Sequence, residues 1–314
     1  MKDYYGYKNK ICIVTGAASG IGKATVELLI DLNAEVYALD INRIELPGIK
    51  KFIEVDLNNK ESIDKAMQEV PSHIDSFFGV AGLSGATTNY YKTFTVNYIA
   101  NKYITEEYLK KRMSYGGTIA YVTSTGGLYW DKYKDEFEKF TNAKTWNEMI
   151  DILHNQAKED TLGIMAYPLS KRALNYYMAK LAIELGPKKI RVNSILPGST
   201  NTGMKKEFEA EAGGMESLIA ETGTAQRLAT PEEIAKPLIF LNSDMASFIT
   251  GLPLIVDSGA NTMVILKQKK DRMNMKVGSK IFNLGIIQKQ LAKQLMPLQQ
   301  DSQKESTQEE TEIL

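Results

Sequence analysis

The sequence predicts an α/β fold: a single doubly wound parallel sheet of about seven strands, with helices on both faces, a helical insertion and a C-terminal tail. Three observations predict it. Short apolar runs alternate with longer helical segments from residue 11 onward, a glycine-rich turn joins the first run to the first helix, and a carboxylate closes the second run.

The first strand is ICIVTG, residues 11–16, followed by a helix to about Leu32. AEVYALD (34–40) and FIEVDL (52–57) supply the next two strands. A helix over 60–69 leads to IDSFFGVAG (74–82), and a helical segment over 91–112 leads to GTIAYVTS (117–124). A helix over 167–185 precedes IRVNSILPG (190–198), and one over 231–242 precedes LPLIVDSG (252–259). Thr230, Pro231, Glu232 and Glu233 open that last helix as N-cap, first-turn proline and acidic first turn.

Two segments fall outside the alternation. Residues 129–160 read as two short amphipathic helices, with Trp146, Met149, Ile150, Leu153 and Ala157 at helical spacing; a packed helix pair explains that stripe better than a ligand box. After about Met263 the chain carries the basic run KQKKDR, an amphipathic stretch with Ile281, Leu284, Ile287, Leu291 and Leu295, and a polar, acidic end of disordered composition. The expected division is one domain over 1–263 and an added segment over 264–314.

With 38 basic and 38 acidic residues in 314, no global field recommends nucleic acid or an anionic surface. A hydrophobic content of 43% is enough for a real core. Cys12 is the one cysteine, which excludes an internal disulfide framework, and the polar start MKDYYGYKNK lacks the apolar core of a signal peptide. These features fit a reducing, cytoplasmic setting. No apolar run approaches the length of a bilayer span, and His73 and His154 with one cysteine give no basis for a metal site.

Gly16, Gly20 and Gly22 follow the first strand and open the first helix, the context in which a pyrophosphate approaches backbone amides at a helix N-terminus. Ser19 can donate to a phosphate oxygen, and Ile21 packs beneath the loop. Asp40, at the end of the second strand, can accept both ribose hydroxyls and would repel a 2′-phosphate, favouring NAD over NADP although Arg43 lies nearby. Asp56 could meet the adenine amino group or cap the helix that follows.

A tyrosine followed four residues later by a lysine occurs at Tyr4 and Lys8, Tyr98 and Lys102, Tyr167 and Lys171, and Tyr176 and Lys180. Chance alone supplies about one or two such pairs, so the spacing is weak by itself.

Taken in order, TGAASGIG, Asp56, VAG at 80–82, Asn97, Ser124, Tyr167, Lys171, PGSTNT at 197–202 and VDSG at 256–259 resemble the short-chain dehydrogenase/reductase family over about residues 8–262. The family's Asn-Asn-Ala-Gly element is reduced here to Val80, Ala81 and Gly82. The resemblance selects Tyr167 and Lys171, because they follow the strand that ends at Ser124. Tyr176 and Lys180, nine residues on, face the other side of the helix.

The resemblance implies that Tyr167 exchanges a proton with the substrate oxygen, that the Lys171 cation lowers the phenol's pKa, that Ser124 hydrogen-bonds the substrate and that Asn97 holds a water in a proton relay. It also implies cofactor contacts from Asp56, Leu57, Ala81, Gly82, Thr200 and Thr202, with Thr202 at the carboxamide. The long gap between Ser124 and Tyr167 and the short connection from Asp40 to Phe52 resemble the bacterial 3α-hydroxysteroid dehydrogenase/carbonyl reductase branch. A hydrophobic secondary alcohol, with steroids or bile acids first, is the expected substrate, and a homo-oligomer the expected assembly. Met204, Phe208, Met215, Leu218 and Ile219 could line its pocket, or simply pack. The insertion could be a lid or could obstruct assembly. The alternatives are a dehydrogenase of a non-steroid alcohol and a nucleotide-binding scaffold whose tail recruits a partner or membrane surface.

Overall fold

The structure, a computed structural model, describes residues 3–132, 134–157 and 161–271. The amphipathic stretch and acidic end of the tail lie outside the described residues. Seven strands form one parallel sheet among them: β1 Ile11–Thr15, β2 Glu35–Asp40, β3 Lys51–Glu54, β4 Ile74–Gly79, β5 Met113–Val122, β6 Arg191–Pro197 and β7 Pro253–Val256. Their order is β3-β2-β1-β4-β5-β6-β7, so the winding reverses between β1 and β4. That reversal opens a crevice at the carboxyl ends of the strands. Thr15 pairs with Leu39 on one side and Gly79 on the other, which brings the glycine turn, Asp40 and Val80 to one edge.

Successive strand residues serve opposite cores. Ile13, Phe77, Ile119 and Tyr121 join the core beneath the helix α8 (Gly163–Glu184), and Cys12, Val14, Phe78 and Ala120 join the core beneath α1 (Gly20–Asp31) and α11 (Pro231–Asn242). Phe77 and Phe78 are fully buried on opposite faces, each contributing about 1.5–3 kcal/mol of apolar burial. This two-sided covering explains why the strands read as continuous apolar runs rather than as alternating ones.

Helix α2 runs from Lys60 to Glu69, capped by Asn59, whose side chain accepts from the Ser62 amide at 2.8 Å. Asp56 is not the cap. At α11, Thr230 and Glu233 form a reciprocal capping box. The segment expected over 91–112 is a continuous helical rod that widens into a π-turn twice: α3 Tyr90–Phe94, a π-turn at Thr95–Ile99, α4 Ala100–Ile104, a second π-turn at Thr105–Leu109 and α5 Lys110–Arg112. Side chains occupy carbonyls inside it: Asn101 Nδ2 donates to Asn97 O at 3.1 Å, and Thr105 Oγ1 donates to Asn101 O at 2.7 Å. The first π-turn carries Asn97, consistent with the use of such turns at functional sites.

The insertion forms α6 (Lys134–Asn142) and α7 (Trp146–His154). Trp146, Met149 and Leu153 are buried in the core of the α8 face, so the apolar stripe is packing. The loop after β6 folds into α9 (Lys205–Ala212) and α10 (Met215–Ala220), and the last described helix is α12 (Ala260–Ile265). Helix α8 starts four residues before the sequence predicts, placing Pro168 inside it; the Ile164 carbonyl thereby loses its amide partner. No described helix is long and apolar enough to cross a membrane.

Candidate active site

The crevice at the strand ends is the mouth of one large cavity of about 2000 Å³. Pockets for drug-sized ligands run to roughly 1,000 Å³, so this one has room for a dinucleotide and a second molecule. Its walls include Gly16, Ser19, Gly20, Ile21, Gly22, Asp40, Asp56, Leu57, Ala81, Gly82, Ser124, Tyr167, Lys171, Thr200 and Thr202. Every residue expected at the site except Asn97 borders it.

At the glycine turn, Gly20 has φ +52°, and a Cβ there would lie 3.1 Å from Thr202 Cγ2. A Cβ on Gly22 would lie 1.9 Å from the Gly16 carbonyl oxygen, so only glycine lets α1 start so close to β1. Ser19 is the N-cap of α1 and its hydroxyl makes no capping bond, while the first amides of the helix have no partner within it. Asp40 is held rigidly: Oδ2 accepts from the Ala18 amide and Oδ1 from the Asn42 amide, each at 2.9 Å. Asp56 Oδ1 accepts from the Asn58 amide at 2.8 Å. This combination of open amides, an unused hydroxyl and a fixed carboxylate fits a dinucleotide whose phosphates meet α1 and whose ribose meets Asp40.

Across the cavity, Ser124 lies two residues beyond β5 and caps a short 3₁₀ turn at Thr125–Gly127 by accepting from the Gly126 amide at 3.0 Å. Its hydroxyl also hydrogen-bonds the Tyr167 phenol. Lys171, one turn along α8, donates from Nζ to the Val122 carbonyl at 3.0 Å and sits 5.7 Å from the Tyr167 ring centroid. A Cβ on Gly82 would lie 3.1 Å from Asn97 Oδ1 and 3.2 Å from Lys171 Nζ, so glycine is what leaves those two groups room beside each other. Asn97 clasps the next turn of chain: Oδ1 accepts from the Leu83 amide at 2.8 Å, and Nδ2 donates to the Leu83 carbonyl at 3.0 Å and to Ser170 Oγ at 3.1 Å.

Burial governs both titratable partners. Loss of hydration pushes Tyr167 up to about 12, opposed by the Ser124 hydrogen bond and reinforced by the negative charge of Glu211. Loss of hydration pushes Lys171 down to about 8. The expectation that the lysine lowers the phenol's pKa thus meets a stronger opposing effect in this arrangement.

The other three pairs resolve differently. Tyr98 and Lys102 are core residues, with Lys102 donating to the Ala143 carbonyl. Tyr4 is exposed. Tyr176 and Lys180 contact the insertion, through Glu138 Oε1 at 3.1 Å and Asn142 Oδ1 at 3.2 Å. Of the expected apolar liners, Met204, Phe208 and Leu218 border the cavity, and Phe208 packs edge-on against Tyr167 with centroids 5.6 Å apart.

Sequence reasoning missed several positioning residues. Thr15 Oγ1 accepts from the Val80 and Ala81 amides at 3.1 and 3.3 Å, holding β4's exit against the glycine turn. Asn175 Nδ2 donates to the Gly127 carbonyl at 3.1 Å and Oδ1 accepts from Ser194 at 2.8 Å, fixing the turn after Ser124. A polar residue in an apolar strand or on a buried helix face was the available signal. Glu211 had no such signal.

Residues 10–133 match the family model described as short chain dehydrogenase, and residues 140–261 match one described as Enoyl-(Acyl carrier protein) reductase. A coniferyl-alcohol dehydrogenase from a Pseudomonas species is 31% identical over 264 residues, covering 82% of this chain and 98% of that one. A 3alpha-hydroxysteroid dehydrogenase from Mediterraneibacter gnavus is 29% identical over 278 residues, covering 81% and 98%. Among solved structures, a 4-hydroxyisoleucine dehydrogenase complexed with NADH superposes with a TM-score of 0.62 at 25% identity, covering 81% of this chain and 99% of that one. The sheet order, the glycine turn and these similarities agree: this chain belongs to the short chain dehydrogenase family of oxidoreductases, which act on CH–OH groups.

Proposed function

We propose that the protein is an NAD-dependent dehydrogenase that interconverts a secondary alcohol and its ketone on a hydrophobic substrate, with 3α-hydroxysteroids or bile acids first. The observation that carries the reading is the convergence of Ser124, Tyr167 and Lys171 on one wall of a cavity whose opposite wall is the glycine turn and Asp40. Apolar lining from Ile164, Met165, Met204, Phe208 and Leu218 supports a hydrophobic substrate, and the M. gnavus relative supports the steroid class.

In this reading the nicotinamide, when bound, supplies the hydride acceptor or donor. Tyr167 acts as the phenolate, its own proton having first passed out through the proton relay; it takes the alcohol proton as the carbonyl forms, and as the phenol it gives that proton back in the reverse direction. Ser124 holds the substrate oxygen and steadies the phenolate through its existing hydrogen bond to Tyr167. Lys171 orients the ribose and stabilises the phenolate once it forms. Asn97, by clasping Leu83, fixes the strand exit beside Lys171; its part in a proton relay rests on the family resemblance, since its side chain is engaged by Leu83 and Ser170. Asp40 accepts the ribose hydroxyls and disfavours a 2′-phosphate; Asp56 and Leu57 meet the adenine end, and Thr200 and Thr202 the nicotinamide end.

The test is NAD- and NADP-linked oxidation of 3α-, 3β-, 7- and 17-hydroxysteroids beside simple secondary alcohols. We expect NAD to be preferred and at least one 3α-hydroxysteroid to be among the best substrates. Protein that binds NAD yet oxidises no alcohol and reduces no ketone refutes the activity; better use of non-steroid alcohols refutes the steroid assignment and leaves the dehydrogenase reading standing.

A further inference from the structure

Helix α9 presents one face to the cavity, formed by Met204 at its N-cap and Phe208, Glu211 and Ala212 along it. Phe208 touches the Tyr167 ring, and Glu211, three residues on, lies on the same face about one turn further. Glu211 is thus the acid that α9 adds to an apolar wall formed by Ile164, Met165, Met204 and Phe208. Its neighbour Glu207 is engaged by the Thr87 hydroxyl. Among the described residues no donor or cation is paired with Glu211. Glu211 is exposed where it borders the cavity, and the protein around its carboxylate still removes enough hydration to push its pKa up to about 7. It shares the cavity with Tyr167 and lies on the α9 face that carries Phe208, the residue packed against the Tyr167 ring; its negative charge raises the phenol's pKa.

We propose that Glu211 is a specificity-determining residue: it accepts a hydrogen bond from a second donor group on the substrate, a hydroxyl or an ammonium, set apart from the reacting alcohol. This rests on the dehydrogenase reading above and narrows it. The apolar walls hold the body of the molecule, and Glu211 selects among bodies of similar shape by one polar substituent. A carboxylate at that position of the substrate meets like charge and is rejected. Hydrogen bonds to a charged acceptor are the strong class, and a site built around one discriminates more sharply than added apolar contact does.

The test compares kcat/KM, measured well above pH 7 so that Glu211 is ionised, for 3α-hydroxysteroids that are otherwise matched but carry no second polar group, a second hydroxyl at position 7, 12 or 17, an amine at one of those positions, or a side-chain carboxylate. We expect wild-type protein to prefer at least one diol or amine over the mono-alcohol by roughly 10- to 100-fold, the span of one charge-assisted hydrogen bond. Glu211→Leu should collapse that ratio to about one. Glu211→Gln, which retains an acceptor without the charge, should leave an intermediate value for the diol and remove any preference for the amine. Glu209→Gln, on α9 but not bordering the cavity, should leave the ratio at the wild-type value. Because the readout is a ratio within each variant, partial misfolding does not mimic the result. A larger preference for the amine than for the diol identifies a cationic substrate. If wild-type protein oxidises these alcohols and Glu211→Leu leaves the ratio unchanged, the inference is wrong and the dehydrogenase reading stands. If wild-type protein oxidises none of them, both fall.

Discussion

Helix α8 carries two tyrosine–lysine pairs with the same local geometry. Lys171 Nζ lies 5.7 Å from the Tyr167 ring centroid, and Lys180 Nζ lies 5.7 Å from that of Tyr176. Their surroundings differ completely. The first pair faces the cavity, where Ser124 bonds the phenol and the Val122 carbonyl anchors the ammonium. The second faces α6, where Glu138 and Asn142 bond the same two groups. Helical spacing puts a lysine over a tyrosine at either end of the helix. Placement beside the carboxyl ends of β4 and β5 is what puts one of them in the cavity and leaves the other to packing.

The largest test of that contrast is removal of each phenol. Tyr167→Phe should lower kcat by about 10³-fold or more, since general acid–base catalysis contributes typically 10²–10⁴-fold. NAD binding, followed by fluorescence titration, should stay within about twofold. Tyr176→Phe should leave kcat nearly unchanged. Equal losses from the two variants would break the comparison outright.

Removal of each ammonium should give a smaller split. Lys171→Ala should lower kcat by about 10²-fold and raise KM for NAD, because the ammonium is proposed to hold the ribose and to stabilise the phenolate. Lys180→Ala should change neither constant. A loss confined to kcat, with KM for NAD untouched, would remove the ribose contact from the account of Lys171.

Stability against pH sharpens the same contrast. Burial depresses Lys171 from 10.5 to about 8 in the folded protein. Between those values the unfolded chain binds the extra proton, so stability rises with pH. Below pH 8 the full cost of a buried ammonium is present, on the order of 3 kcal/mol. Lys171→Met removes that cost, so wild-type stability should approach that of the variant as pH increases from 8 toward 10. Above pH 10 Tyr167 opposes the trend: its folded pKa is raised to about 12, so the folded state retains a proton that the unfolded chain loses. Urea unfolding at pH 7, 8, 9 and 10 reads the first window; a constant difference between wild type and variant would show that the ammonium is already compensated.

The parts legible in the sequence were those that repeat or stand at a strand end. All seven strands and the bounds of α2 and α11 follow from apolar runs and caps, because Thr230 and Glu233 encode their own local structure. Asp40, Ser124 and the glycine turn were legible because each stands where an apolar run stops. The π-turns were not, since they depend on Asn101 and Thr105 side chains competing for carbonyls inside an otherwise ordinary helix. Thr15 and Asn175 act on backbone brought close only by the fold, and Glu211 is one acid among many until α9 turns it toward Tyr167. The pKa balance at Tyr167 was not legible for the same reason: the lysine is visible in the spacing, but the loss of water around both groups is not.

The smallest effect concerns the pair that faces α6. The Tyr176 hydroxyl donates to Glu138 at 3.1 Å, joining α8 to the first helix of the insertion at a partly exposed edge. A double-mutant cycle of Tyr176→Phe and Glu138→Gln, read by urea unfolding, should give a coupling of about 0.5–1 kcal/mol, the usual net worth of one such hydrogen bond. The same cycle read in kcat/KM should give none. Appreciable coupling in kcat/KM would mean that the insertion transmits its position along α8 to Tyr167, nine residues away. The two ends of the helix would then form one functional unit, and the insertion would count as part of the catalytic apparatus rather than as packing beside it.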